Sequence, residues 1–281
     1  MNPKRLAALR ARTGASRMAD IPDDVRRALN AGLLETVTLA EWLAIDHVAL
    51  VGAAVRDCGV ESLAPELQRQ ARALVGAGVT RRVRGMGAAW HGALAGLPRA
   101  AERARAFRAL ATHPSDLVRA WAAYVHTADM SLDLAARLEA ARPFARDGGM
   151  SVRECAWDSF RPHLAQDLER GLALLEPWVH DDEATIRRCA IEGTRPRGVW
   201  TQHLPALKED PQQALALLEP LRADPSRYVQ NAVANWLNDA SKSQPDWTRA
   251  VCERWMKNTQ SQETHYIVRR ALRTLRKQDS E

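Results

Sequence analysis

Period-two alternation of apolar and polar residues, the mark of a half-buried strand, is nearly absent from this chain. Apolar residues instead recur at i, i+3, i+4 and i+7 along most of its length. That spacing predicts helices over 31–49, 65–75, 99–112, 117–126, 132–142, 166–179, 212–221 and 247–257. Ser115 ahead of Asp116–Leu117, and Asp181–Asp182 ahead of Thr185–Ile186, read as helix starts, because such side chains accept from the free N–H groups of a first turn. The predicted fold class is all-α.

One pattern repeats. Leu117-Val118-Arg119, Ser151-Val152-Arg153, Thr185-Ile186-Arg187, Tyr228-Val229-Gln230 and Ile267-Val268-Arg269 each follow a short polar stretch and open a helix, with central aliphatics 34, 34, 43 and 39 residues apart. A two-helix unit fits that period, so the expected architecture is a HEAT-like α-solenoid with a concave groove. Clear repeats are expected over about 113–275 and degenerate ones over about 21–112. The basic segment 1–20 stands outside the pattern as a mobile end. With no Pro/Gly/Ser linker between these parts, a single domain over 1–281 is the expectation.

Counting from each central aliphatic sorts the chemistry. Position +3 holds Trp121, Cys155, Cys189 and Ala232, which reads as packing. Position +1 holds Arg119, Arg153, Arg187, Gln230 and Arg269: either a row of phosphate ligands or arginines paired within the fold. Position +6 holds Tyr124, Asp158, Glu192 and Asn235, and Asp239 lies one helical turn beyond Asn235. Stacked repeats would set Asp158, Glu192 and Asp239 in one acidic row. Two of these acids open matching pentads, Asp158-Ser-Phe-Arg161-Pro162 and Glu192-Gly-Thr-Arg195-Pro196, whose prolines predict a helix kink or break just beyond the carboxylate. The acids either have a chemical task or neutralise arginines such as Arg161 and Arg195.

Composition narrows the function class. The 281 residues carry 40 Lys and Arg against 34 Asp and Glu, a net charge of +6 that suits a polyanionic partner without requiring one. No apolar run is long enough to span a membrane, and Met1 to Met18 lacks the apolar core of a secretory signal. Cys58, Cys155, Cys189 and Cys252 are widely spaced and form no C-x-x-C pair, so neither a disulfide framework nor a zinc site is expected, and a reduced, cytoplasmic protein is. There is no H-E-x-x-H, G-x-S-x-G or Walker lysine motif, and the pairs Gly76/Gly78 and Gly85/Gly87 follow no strand. Nine tryptophans stand against three phenylalanines and three tyrosines. Trp157, Trp200 and Trp236 lie close in sequence to the acids, where they either fill the core or offer a stacking wall to a base or sugar.

Residues 192–197, E-G-T-R-P-R, with Trp200, and residues 224–239, D-P-S-R-Y-V-Q-N-A-V-A-N-W-L-N-D, resemble the AlkC branch of the AlkC/AlkD HEAT-like-repeat DNA glycosylases. Ile21-Pro-Asp-Asp-Val25, Ala28-Leu-Asn-Ala-Gly32 and Leu39-Ala-Glu-Trp-Leu43 are similar to that branch as well, so the likeness runs from about Ile21 to Pro245. The resemblance implies a monofunctional glycosylase that removes cationic alkylated bases, such as N3-methyladenine or N3-methylcytosine, from double-stranded DNA in base excision repair. It implies acidic active-site positions at Glu192 and Asp239, with Asp158 at or beside a position where the family has Glu. Arg153, Arg187, Arg195 and Arg197 would hold phosphates, with Asn235 beside the DNA. No cofactor or metal is implied, and a monomer is expected. Gln230-Asn231 stand where the family has Arg-Arg, and Trp236 where it has His. A non-catalytic binder of bent or branched DNA is the alternative from another class, and a HEAT scaffold for a protein partner is a third.

Overall fold

A computed structural model describes residues 2–198, 200–257 and 259–278. Among the described residues the regular structure is helical, without strands, and falls into two compact units: residues up to 132 together with 147–159, and residues 133–146 together with 160 onward. No helix among the described residues is long and apolar enough to cross a membrane.

The first unit contains α1 (Pro3–Arg10), α2 (Asp23–Asn30), α3 (Leu39–Leu43), α4 (His47–Asp57), α5 (Ala64–Ala73), α6 (Val79–Ala95), α7 (Ala100–Ala111) and α8 (Asp116–Val125). The single helix predicted over 31–49 is two, α3 and the start of α4. Gly32 takes a φ of +71°, and the N–H groups of Gly32 and Leu33 bond back to the carbonyls of Leu29 and Ala28, closing α2. Two new starts follow: Thr38 accepts from Glu41 N–H at 3.3 Å, and Asp46 accepts from Val48 and Ala49 N–H at 2.8 and 3.3 Å. Arg12 bonds both carboxylate oxygens of buried Glu41 at 2.9 and 2.6 Å, and the carbonyls of Leu9 and Glu35 at 2.8 and 2.7 Å.

No predicted window covers α6, whose 17 residues include Gly85, Gly87 and Gly92 and therefore dilute the apolar stripe. A Cβ on Gly87 would stand 2.2 Å from Tyr124 Cβ and 3.0 Å from the Trp121 carbonyl, so the missing side chain is what lets α6 lie against α8. Gly85 is also helical, and Gly78 is the residue from which α6 starts.

Three histidines of this unit are held below their ordinary pKa. For buried His47, whose ring centroid lies 5.6 Å from that of Trp121, burial and then the charge of Arg82 push the pKa down to about 4, with Asp46 opposing. Burial acts in the same direction on His113 and His126. A histidine whose folded pKa is depressed adds no penalty above pH 6.5, and costs stability as pH falls from 6.5 towards its folded value, because the unfolded chain takes the proton first. His47 alone accounts for about 3 kcal/mol over that interval. Urea midpoints measured between pH 7 and 4 are therefore expected to fall, and His47→Phe to flatten the fall; a wild-type midpoint constant across that range contradicts this.

The second unit holds α9 (Leu134–Ala145), the end of α10 (Met150–Leu164), α11 (Leu168–Leu175), α12 (Ala184–Gly193), α13 (Pro205–Glu209), α14 (Leu215–Leu218), α15 (Arg227–Ser241), α16 (Pro245–Met256), α17 (Gln262–Ala271) and α18 (Arg273–Gln278). Helices α12, α15 and α17 pack in succession; the repeated triplets open α12 and α15, whereas Ile267-Val268-Arg269 falls in the second half of α17, which already starts at Gln262. The helix predicted over 212–221 breaks into short turns, 211–214, α14 and 219–221; Pro220, inside the window, lacks the N–H that a continuous helix requires. Pro162 does not break α10, which runs two residues further; it leaves the Asp158 carbonyl without its helical donor. Pro196 does lie beyond the end of α12.

All four cysteines are buried thiols outside any disulfide, and burial pushes Cys58 and Cys252 up to about 12. Shielded from solvent, the four behave as small core side chains.

Candidate functional site

The position +1 ladder is an internal clamp. Arg153 Nη1 donates to the carbonyls of Asp147 and Gly148 at 2.6 and 2.8 Å; Arg187 Nη1 donates to those of Asp181 and Asp182 at 2.8 and 2.9 Å. Arg119 reaches back to the His113 carbonyl at 2.7 Å, and Gln230, where the resemblance puts arginine, reaches the Asp224 carbonyl at 2.7 Å. Each side chain thus ties its helix to the residue six positions earlier.

The aspartates of those turns complete the clamp. Asp147, Asp181 and Asp224 each accept from the N–H two residues on, at 2.7, 2.8 and 2.8 Å. Asp147 also accepts Arg119 at 2.7 and 2.9 Å, and Asp224 accepts Arg187 at 2.7 and 3.1 Å, so a repeat's arginine is bound by the next repeat's aspartate. Arg187 is thereby neutralised within the fold. From the sequence these aspartates read only as polar residues ahead of a helix; their pairing with the +1 arginines is new, although one recurs six positions before Arg153, Arg187 and Gln230.

The second unit gathers Glu192 and Asp239. Glu192 stands in the last turn of α12 and Asp239 near the end of α15, and Arg195, just beyond α12, lies between them. Arg195 Nη1 bonds Glu192 Oε2 at 3.0 Å, while its Nε and Nη2 reach Asp239 Oδ2 at 2.8 and 2.7 Å. Glu192 Oε1 is taken by Arg188 at 2.8 Å, and Asp239 Oδ1 by Lys242 Nζ at 3.3 Å. Both acids are almost wholly buried, at 2% and 4% exposure. Burial opposes the charge of Arg195, yet the two carboxylates more than offset it and hold its pKa above the ordinary arginine value. Arg273 stands near enough for its pKa to be lowered by burial and by Arg270 and Arg195, with Asp239 opposing. It also bonds Asn235 Oδ1 at 3.1 Å, one turn before Asp239. Arg188, Arg195, Lys242 and Arg273 outnumber the two acids, leaving a local positive surplus.

Arg161 builds the turn that carries Arg195. Fully buried, it donates to the carbonyls of Gly193 at 2.9 Å, Arg195 at 2.6 Å and Gln202 at 3.0 Å. Trp236 Nε1 holds the Thr194 carbonyl of the same turn at 3.0 Å. Both pentad arginines therefore have internal work: Arg195 bridges the acids, and Arg161 holds the turn.

Residues 150–275, which include Glu192, Arg195 and Asp239, match the family described as DNA alkylation repair enzyme. That segment carries the DNA alkylation repair family's pattern. The chain is similar to the alkylpurine DNA glycosylase AlkC of Pseudomonas fluorescens, solved bound to DNA containing an abasic site analog: 27% identity and a TM-score of 0.70, over 82% of this chain and 63% of that one. AlkD2 from Streptococcus mutans shares the fold at 20% identity and a TM-score of 0.52, over 79% of this chain and 95% of that one. The uncharacterized protein YhaZ of Bacillus subtilis is 42% identical over 85 residues, 30% of this chain and 23% of YhaZ. The chain thus spans less than two thirds of the length of AlkC and of YhaZ. Its helical-repeat fold is that of the AlkC and AlkD proteins.

Asp158 belongs to the first unit and has its own partners there. Arg84 of α6 bonds its two oxygens at 2.8 and 2.5 Å, and the Tyr124 hydroxyl donates to Oδ2 at 2.5 Å, leaving the acid fully buried. Arg84 and Tyr124 escaped notice as partners because Arg84 lies 74 residues away in sequence.

The tryptophans separate by exposure. Trp236 is fully buried, 6.1 Å from the Trp247 ring, and Trp157 is 4% exposed, so both fill the core and neither offers a face for stacking. Trp200 is 39% exposed and sits beyond Arg197, whose Nη2 bonds Ser243 Oγ at 2.7 Å. Two tyrosines beside the repeated aliphatics carry arginines on their faces: Arg188 lies 4.1 Å from the Tyr228 ring centroid, and Arg227 3.5 Å from that of Tyr266, whose hydroxyl donates to Asn231 at 2.8 Å.

Proposed function

We propose that this protein is a monofunctional DNA glycosylase that hydrolyses the N-glycosidic bond of cationic alkylated bases, such as N3-methyladenine and N3-methylcytosine, in duplex DNA. The observation that carries the proposal is the Glu192–Arg195–Asp239 bridge, formed by the E-G-T-R and L-N-D stretches within the segment matching the DNA alkylation repair family. The similarity to AlkC, solved on abasic-site DNA, supports the same reading.

The chemistry suits carboxylates. An N3-alkylated base already carries positive charge, so the C1′–N bond breaks with its electron pair going to the base, which leaves neutral without a strong general acid. The sugar left behind has oxocarbenium character and is stabilised by a nearby negative charge. Water then adds its oxygen to C1′ and gives up a proton to a carboxylate or to solvent. Asp239 and Glu192 would supply the charge and align the water.

Phosphates would be held by Arg197, Arg227, Arg270 and Arg273 together with Lys242, since Arg153 and Arg187 are engaged as clamps. Trp200, 39% exposed, would offer its ring to a base or sugar. A second reading, a non-catalytic binder of damaged duplex, is favoured by one observation: each candidate acid already has a cationic partner.

Incubation with methylated duplex DNA, followed by chromatography of the free bases, separates the two. The enzyme reading expects N3-methylated base to be released by wild type, with affinity for duplex falling over roughly 50–200 mM salt. Tight, salt-sensitive binding without release overturns the enzyme reading in favour of the second.

A further inference from the structure

Glu192 and Asp239 hold their charges differently. Both partners of Glu192 are fixed: Arg188 and Arg195 have side chains only 12% and 13% exposed, Arg188 is stacked on Tyr228, and Arg195 is clamped between two acids. Asp239 has one such partner, Arg195 on Oδ2. Its other oxygen meets Lys242, 41% exposed, at the longer distance of 3.3 Å. A lysine ammonium on a four-carbon stem moves easily and loses little by returning to water, whereas a forked arginine between two carboxylates gives up several charged hydrogen bonds. Lys242 is also the residue that ends α15, where the helix carbonyls favour a cation, so it keeps a favourable position after leaving Oδ1.

We propose that Lys242 is the displaceable counter-ion of Asp239: its ammonium occupies Oδ1 in the free protein and yields that place to the cationic sugar during reaction, making Asp239, rather than Glu192, the carboxylate that faces the developing charge. This deepens the glycosylase reading and rests on it for the identity of the cation. Lys242 acts here as a positioning residue through Asp239. A neutral ligand has nothing with which to displace the ammonium, so the exchange favours cationic centres.

The test compares the affinity of the full chain for two duplexes that differ at one position, a cationic pyrrolidine abasic analogue and the neutral tetrahydrofuran analogue. Both carry the same phosphates, so any phosphate contact of Lys242 cancels in the ratio. Lys242→Met is expected to raise the preference for the cationic duplex by roughly three- to fivefold, the scale of a part-exposed ion pair. Lys242→Arg should leave it near wild type, Asp239→Asn should abolish it, and Glu192→Gln should retain most of it. A ratio unmoved by Lys242→Met, or a preference that persists in Asp239→Asn, overturns the proposal, as does failure to bind either duplex. Base release with an unmoved ratio removes this proposal alone; the expected ratios without base release remove the glycosylase reading and leave the cation exchange standing.

Discussion

Replacing Arg195 with alanine is expected to lower the stability of the protein by about 3–5 kcal/mol, read as a fall in the urea midpoint at neutral pH. Two nearly buried carboxylates share this guanidinium, and its removal leaves both without their common partner. With total stabilities of about 5–15 kcal/mol usual for a domain, the loss takes much of the margin. Arg195→Lys should recover only part of it, because one ammonium cannot span Glu192 Oε2 and Asp239 Oδ2 as the planar fork does. Replacing both acids along with the arginine, as in Glu192→Gln/Asp239→Asn/Arg195→Met, should be milder than Arg195→Ala, since no uncompensated charge is then buried. An Arg195→Ala midpoint within experimental scatter of wild type would show that the bridge does not hold this part of the fold.

Arg161→Met is the second large effect. The methionine fills similar volume but leaves the carbonyls of Gly193, Arg195 and Gln202 without their donor. Buried hydrogen bonds from a charged group contribute about 1.5–3 kcal/mol each, so a loss of about 3–5 kcal/mol is expected after partial relaxation. The effect should also be local. Residues 193–202 carry Arg195, Arg197 and Trp200, and their amide hydrogens should exchange much faster in the variant than those of α17. Uniformly faster exchange throughout the second unit would point instead to a general loss of packing.

Much of the fold was legible because helical periodicity survives wherever one stripe of a helix is buried. Helices α5, α7, α8 and α16 fall on the predicted windows within a few residues. The failures have local causes. Glycines at 85, 87 and 92 hid α6, since a helix that approaches another through missing side chains shows a thin apolar stripe. The Gly32 turn divided 31–49, and Pro220 interrupted 212–221. The repeat itself was visible, but the function of its +1 position was not, because spacing cannot tell an arginine that faces solvent from one folded back on its own turn. The aspartates at 147, 181 and 224 were the available signal, each six residues before a +1 side chain.

The acidic site was legible in part. Glu192 and Asp239 could be picked out from their repeat register and motif, and the sequence reading allowed that Arg195 neutralises a nearby acid. What it could not supply was the bridge's geometry or the unequal holding of the two acids, which depend on side chains 44 residues apart meeting at 2.7–2.8 Å. The stacking role considered for Trp157 and Trp236 gave way to burial, which a hydrophobic count near an acid does not predict.

The most direct measurement is the single-turnover rate of N3-methyladenine release from duplex DNA, with enzyme in excess, for wild type, Glu192→Gln and Asp239→Asn. Loss of one preorganised charge at the reacting centre lowers such rates by about 10²–10³-fold. The account predicts a fall of that size for Asp239→Asn and a smaller one for Glu192→Gln, with binding of an abasic-analogue duplex retained in both. Release by Asp239→Asn at the wild-type rate would contradict it.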